Sequence, residues 1–211
     1  MDEFISASQG PAFKALFVRN PDLLKAFISD ALSLNLTDAD SIEPISSEIY
    51  PAAERDDRFV VRVITEKGRY KVEFQTSSDF NPDYAFMSWG SLFCAGVRSD
   101  DRDEKFEKTY QVSVLDFSYY QTDDYHSSFS FRKNDTFELL DDALSIHVFE
   151  LPKVPDEPNP EDPAIEWFQV VKADSEEALK KIEARTKNPT ILKAIEAARQ
   201  LNADETLRRA R

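Results

Sequence analysis

The stretch that most restricts the fold of this chain is residues 59–75, which read FVVRVITEKGRYKVEFQ. Two runs rich in β-branched and aromatic residues flank a turn at Gly68, a pattern typical of a β-hairpin. Alternate side chains of a strand point to the same face, so Lys71, Glu73 and Gln75 are predicted to share one face of the second strand. The apolar residues between them then face a core.

A carboxylate and an amide two residues apart on one strand face can take part in metal-dependent chemistry. The carboxylate of Glu73 can bind a divalent cation, and the side chain of Gln75 can orient a water molecule. The simpler interpretation is a solvated strand edge that carries a surface glutamate, and for an isolated pair it is the more frequent one. The rest of the chain has to decide between the two.

Six segments of the chain together resemble a known family. In chain order they are FKALF (13–17), NPDLLKAFISDAL (20–32), KGRYKVEFQ (67–75), YQVSVLDFSYY (110–120), LLDDALSIHVFELPK (139–153) and the tail from Asn188. Their order and spacing resemble the Rpn-type recombination-promoting nucleases, also called the PD-(D/E)XK nuclease family transposases. The resemblance covers most of the chain.

The resemblance implies an α/β fold of the restriction-endonuclease type, a mixed sheet flanked by helices. It implies DNA as the partner and Mg²⁺-dependent hydrolysis of phosphodiester bonds as the reaction. Glu73 and Asp57, or Asp56 beside it, would hold the metal. Gln75 would orient the attacking water, and Lys71 would contact the phosphate.

The chain departs from the family pattern at one metal-binding position. The family has an aspartate eight residues before the turn glycine, and counting back from Gly68 gives Val60, which cannot bind a metal. Asp56 or Asp57 can take over this role only through a bulge or a shifted register. The alternative function is therefore a catalytically inactive nuclease fold that serves as a binding or assembly module.

A proline-rich linker at residues 153–163 divides the chain. We expect a nuclease-like core at 1–158 and a C-terminal helical extension at 159–211 that the core does not need for folding. Within this framework the pattern predicts further elements. These are a helix over 21–32, a short strand near 49–50, strands at 109–117, 126–132 and 145–151, and a late helix that begins at Asp174 with Glu177 completing a capping box.

Composition restricts location and partners. Residues 1–160 hold 16 basic and 30 acidic residues, which accounts for the whole net charge of −14 and opposes tight binding to phosphates. No apolar run is long enough to span a membrane, and the first ten residues do not resemble a signal peptide. The single cysteine, Cys94, is predicted to be a buried core thiol. We expect a cytoplasmic protein, and the sequence leaves open whether it is a monomer or a homo-oligomer.

The two histidines, His126 and His147, lie in predicted strands without cysteine or histidine neighbours at zinc-binding spacing. They are predicted to be structural.

Overall fold

The computed structural model describes residues 4–45, 57–66, 68–77, 79–94, 107–204 and 207. The helices in this part of the chain are α1 (Gly10–Val18), α2 (Pro21–Leu32), α3 (Pro82–Cys94), α4 (Ala164–Lys172), α5 (Glu176–Arg185) and α6 (Pro189–Leu201), with a short 3₁₀ turn at Leu151–Lys153. The strands are β1 (Ser41–Pro44), β2 (Arg58–Thr65), β3 (Gly68–Ser77), β4 (Lys108–Leu115), β5 (His126–Phe129) and β6 (Leu144–Glu150). No helix in these ranges combines the length and the apolar character that crossing a bilayer requires.

The described strands form one mixed sheet in the order β1-β2-β3-β4-β6-β5. β1, β2 and β3 are antiparallel neighbours, β3, β4 and β6 run parallel, and β5 pairs antiparallel with β6 at the far edge. The helix α3 forms the crossover between the parallel strands β3 and β4, as a parallel pair requires. The predicted hairpin is β2–β3, and the predicted α/β architecture with a mixed sheet and flanking helices is confirmed.

The larger core lies on one face of the sheet, under α1, α2, α4, α5 and α6. The helix predicted over 21–32 is α2, and its apolar side chains are buried here along its whole length. Phenylalanine rings from helices and strands meet at its centre, where Phe13 contacts Phe59 and Phe74 at centroid distances of 5.9 and 6.1 Å and Phe27 contacts Phe74 at 5.6 Å. Mutual contact among aromatic rings adds to the free energy that their burial supplies.

The larger core also includes the C-terminal helices. Phe168 of α4 contacts Phe27 of α2 at 5.5 Å, and Ile191 and Ile195 of α6 are fully buried among the residues of α1 and α2. The division at residue 158 stays a prediction, but the described core runs continuously across it. The extension is helical as expected, and its packing argues against our expectation that the core can fold without it.

A smaller core lies on the opposite face, between the sheet and α3. It is formed by Ala85, Trp89, Leu115, Ile146 and Val148. The last residue of α3 is Cys94, whose side chain is exposed, so the prediction of a buried thiol was wrong. The buried residues of α3 are Ala85, Ser88, Trp89 and Leu92, so the apolar pattern around Cys94 belongs to the preceding turns of the helix.

Two other local predictions need correction or fall outside the described residues. The strand expected near residues 49–50 lies outside them, whereas β1 pairs with β2 at Ser41–Pro44, a segment with little apolar alternation. The late helix α5 is capped by Ser175, whose side chain accepts a hydrogen bond from the Ala178 N–H at 3.2 Å, one residue later than the predicted Asp174 cap. A serine hydroxyl in this position satisfies one of the free N–H groups of the first turn.

The two histidines pair with each other between β5 and β6. His126 Nε2 and His147 Nδ1 lie 2.9 Å apart, and His147 Nε2 lies 2.7 Å from Ser145 Oγ. The ring of His126 stacks on Phe149 at a centroid distance of 4.2 Å. These contacts join the edge strand to the sheet, which fits the structural role predicted for both residues.

Candidate functional site

The face of β3 that carries Glu73 is turned towards α3. Glu73 hydrogen-bonds Ser88 of this helix, and Lys71 donates to carbonyl groups at its C-terminus. The register places Gln75 one step further along the same face, opposite Arg58 of β2. The structure thus arranges Lys71, Glu73 and Gln75 as strand alternation predicts.

Among the described residues, the side chains of Ser88 and Arg58 contact the carboxylate of Glu73, which has no exposed surface. Ser88 Oγ lies 2.9 Å from Oε1 and 2.7 Å from Oε2. Arg58 Nη1 donates to Oε1 at 3.3 Å and to Ser88 Oγ at 3.1 Å. The three groups form a closed triangle in which the guanidinium of Arg58 supplies the positive charge beside the carboxylate.

Val60 lies directly across the strand pair from Glu73, and its side chain is buried. Directly opposed residues in an antiparallel pair have Cβ atoms about 5 Å apart on the same face. This is the position that the family pattern reserves for an aspartate. An acid here would be close enough to share a cation with Glu73, and the isopropyl group of Val60 offers no ligand.

The other neighbour of Glu73 in the sheet is Gln111 of β4. Its side chain is fully buried and donates from Nε2 to Ser113 Oγ at 3.0 Å. Ser113 in turn lies beside Gln75, which is half-buried. The strip around Glu73 is therefore polar but made largely of uncharged amide and hydroxyl groups.

Lys71 performs a structural task in this arrangement. Its Nζ donates to the carbonyl oxygens of Leu92 and Phe93, in the last described turn of α3, at 3.0 and 3.2 Å. Burial lowers the pKa of this lysine below its ordinary value, and the nearby Glu107 carboxylate opposes the shift. A buried ammonium that caps a helix is poorly placed to contact a phosphate.

Asp57, one of the two acids expected to share a metal with Glu73, lies on the other face of the sheet. Asp57 lies at the start of β2, where its backbone carbonyl accepts from Thr76 N–H at 3.1 Å. A methyl group added to Gly10 would lie 3.2 Å from the Cβ atom of Asp57, so the Asp57 side chain lies beside Gly10. Gly10 opens α1, which packs on the face of the sheet opposite α3. Asp56 lies outside the described residues.

The groups around Glu73 do not fit a divalent metal ion. Mg²⁺ requires about six oxygen ligands and is usually held by more than one carboxylate or by carboxylate and substrate. Both oxygens of Glu73 instead accept hydrogen bonds, and a guanidinium cation would repel a second cation at the same place. Within the described ranges, no three His, Cys, Asp or Glu side chains are grouped so that they could hold a metal.

Sequence reasoning overlooked two of the three members of the triangle. Arg58 lies two residues before Val60, so strand alternation could have placed it on the face of Glu73. The position of Ser88 depends on how α3 crosses the sheet, and no local pattern in the sequence specifies that crossing.

Comparison with known proteins gives one match. The family model described as "PD-(D/E)XK nuclease family transposase" matches residues 11–211, nearly the whole chain. No curated protein and no solved structure gives a significant match.

Proposed function

The chain belongs to the PD-(D/E)XK nuclease family transposases, and from this premise we propose that it is a nuclease-fold module that binds a partner without cutting DNA. Nucleases with this fold generally use divalent metals, and the family suggests DNA as a substrate. The observation that carries the proposal is the contact of Arg58 and Ser88 with the Glu73 carboxylate. The arginine supplies beside Glu73 the positive charge that a metal ion would supply in an active nuclease.

Val60 supports the same proposal. A phosphodiesterase site needs a metal that polarises the phosphate and lowers the pKa of a bound water. Val60 stands opposite Glu73, where the family pattern has a carboxylate, and it offers no metal ligand. Gln75 cannot supply the positive charge that a lysine would bring to the transition state. The acidity of residues 1–160 further weakens attraction to DNA.

The rival function is Mg²⁺-dependent cleavage of DNA at Glu73, with Asp57 or Asp56 as the second metal ligand and Gln75 positioning the water.

A nicking assay on supercoiled plasmid with Mg²⁺ or Mn²⁺ separates the two functions. The wild type and the Glu73→Gln variant are expected to give the same background, because neither forms a metal site. The amide oxygen introduced by this substitution can still accept a hydrogen bond from Ser88. Because the substitution leaves the Arg58 guanidinium without its carboxylate, circular dichroism has to show that the variant is folded under the assay conditions. Metal-dependent nicking by the wild type that Glu73→Gln lacks would establish the nuclease.

A further inference from the structure

A group of exposed aromatic rings lies on the α3 side of the sheet, towards the edge strand β5. The rings of Phe86, Tyr119, Phe129 and Phe131 each expose between 39% and 47% of the residue surface, and we call these four residues the aromatic surface. Phe86 contacts Phe131 at a centroid distance of 6.0 Å. The ring of Tyr120 lies between those of Tyr119 and Phe129, at centroid distances of 4.9 and 5.7 Å. Large exposed apolar areas of this kind mark interaction sites.

One half of the aromatic surface is held in place by the smaller core. Trp89 is buried and lies 5.9 Å from Phe86 and 6.3 Å from Phe131, so it supports both rings from below. Its indole N–H donates to the carbonyl of Thr109 at 3.1 Å. The rings of Phe86 and Phe131 therefore keep a fixed position without a partner.

The other half is fixed by a buried carboxylate. Glu150, at the end of β6, has no exposed surface, and its Oε1 accepts from the backbone N–H groups of Tyr119 and Tyr120. Lys153 Nζ neutralises it at 2.8 Å and also donates to the carbonyl of Tyr120 at 2.7 Å. These bonds set the loop that presents Tyr119. A surface arranged before binding loses little conformational entropy on association.

The segment that contributes Tyr119, Phe129 and Phe131 is mainly negative, and one of its acids, Asp142, lies 3.4 Å from Lys108. Residues 116–142, which carry three of its four rings, hold seven acidic and two basic residues, all of them exposed. One of the two basic residues, Lys133, already lies 3.4 Å from Asp135. A partner that covers the rings must therefore approach through a negative potential.

We propose that the aromatic surface binds a basic protein segment that also carries apolar side chains, such as a cationic amphipathic helix. Its apolar residues would cover the rings, and its Lys and Arg side chains would face the surrounding carboxylates or stack on ring faces. Nucleic acid could stack bases on the rings, but its phosphates would meet the same carboxylates. A second copy of this chain would bring like charge to like charge. The inference goes beyond the noncatalytic function and does not depend on the state of Glu73.

Fluorescence anisotropy with a labelled amphipathic helix of leucine and lysine tests this binding. The double variant Phe86→Ser/Phe131→Ser is expected to bind the peptide roughly tenfold more weakly than the wild type, since the loss of central aromatic residues usually dominates binding energy. Leu192→Ser, which removes an exposed apolar side chain of α6, should leave the affinity unchanged. Glu73→Gln should also leave the affinity for the peptide unchanged. This result would show that peptide binding does not depend on a metal site at Glu73.

The charge requirement is tested with a peptide in which glutamate replaces every lysine. This peptide should not bind, and Asp123→Asn/Asp124→Asn should weaken binding of the lysine peptide severalfold at low salt. Equal affinity of the wild type and the Phe86→Ser/Phe131→Ser variant for the lysine peptide would overturn the proposal. Two other results would also overturn it. The wild type could bind a DNA oligonucleotide, or form a dimer detected by light scattering, and the Phe86→Ser/Phe131→Ser variant could lose that binding or that dimer.

Discussion

Replacing Arg58 by methionine is expected to lower the free energy of unfolding by about 3–5 kcal/mol, the usual cost of removing one partner from a buried ion pair. The Glu73 carboxylate has no exposed surface, and only 11% of the Arg58 side chain is exposed. Without the guanidinium the carboxylate stays buried with Ser88 as its described hydrogen-bond donor. The buried carboxylate must then remain charged without its neighbouring cation or take up a proton. Urea unfolding of both proteins measures the difference.

Arg62→Met is the matched control for this prediction. Arg62 lies on the same strand face, two residues from Val60, and its Nε lies 2.9 Å from a Glu107 oxygen in a more exposed pair. Its loss should cost less than the loss of Arg58, because this pair is more exposed and Lys71 Nζ still lies 4.0 Å from Glu107. Adding Glu73→Gln to Arg58→Met should recover much of the lost stability, because the buried charge is then removed. If Arg58→Met cost no more than Arg62→Met, Arg58 would not be the neutralising group.

Lowering the pH from 7.5 to 5.5 is expected to destabilise the protein through the histidine pair. Burial, helped by the neighbouring His126 and Lys108, lowers the pKa of His147 to about 3. Burial also lowers the pKa of His126, and the Asp162 carboxylate partly opposes that shift. In the unfolded chain both histidines bind a proton below a pH of about 6.5, whereas in the folded protein their lowered pKa values keep them neutral to a lower pH. Stability is therefore lost as the pH falls from about 6.5 towards 3, by about 1–2 kcal/mol for His147 at pH 5.5.

The window from pH 7.5 to 5.5 spans the ordinary pKa of histidine and lies above those of Asp and Glu, so the histidines are expected to dominate the change. His147→Gln should remove most of this pH dependence while it retains a polar group near Ser145. Urea unfolding at both pH values measures the change. A wild type and a variant that lose stability in parallel would show that the pair of histidines is not the cause.

The position of Glu73 could be predicted from the sequence because a strand has a fixed period of two. The turn at Gly68 sets the register of the hairpin, and the alternation of β3 then decides which side chains share a face. The count back from Gly68 identified Val60 as the position of the family's aspartate, and the observed pairing places Val60 opposite Glu73. Local rules were sufficient here because both strands are adjacent in the chain.

The partners of Glu73 could not be fully predicted because one of them comes from a distant element. Ser88 reaches the carboxylate only because α3 crosses the sheet at that point, and this crossing depends on how Trp89 and its neighbours pack on the sheet. The same holds for the C-terminal helices. Their caps and apolar stripes are local, but their burial against α1 and α2 is a property of the whole core.

The most direct measurement of the central claim is isothermal titration of Mn²⁺ into the wild type, Glu73→Gln and Val60→Asp/Arg58→Ser. If Arg58 takes the place of a cation at Glu73, the wild type and Glu73→Gln should give the same heats. The double variant regains an acid and loses the competing charge, so it should bind Mn²⁺ at a new site and be stabilised by it. Saturable Mn²⁺ binding by the wild type that Glu73→Gln abolishes would contradict this account and restore Glu73 as a metal ligand.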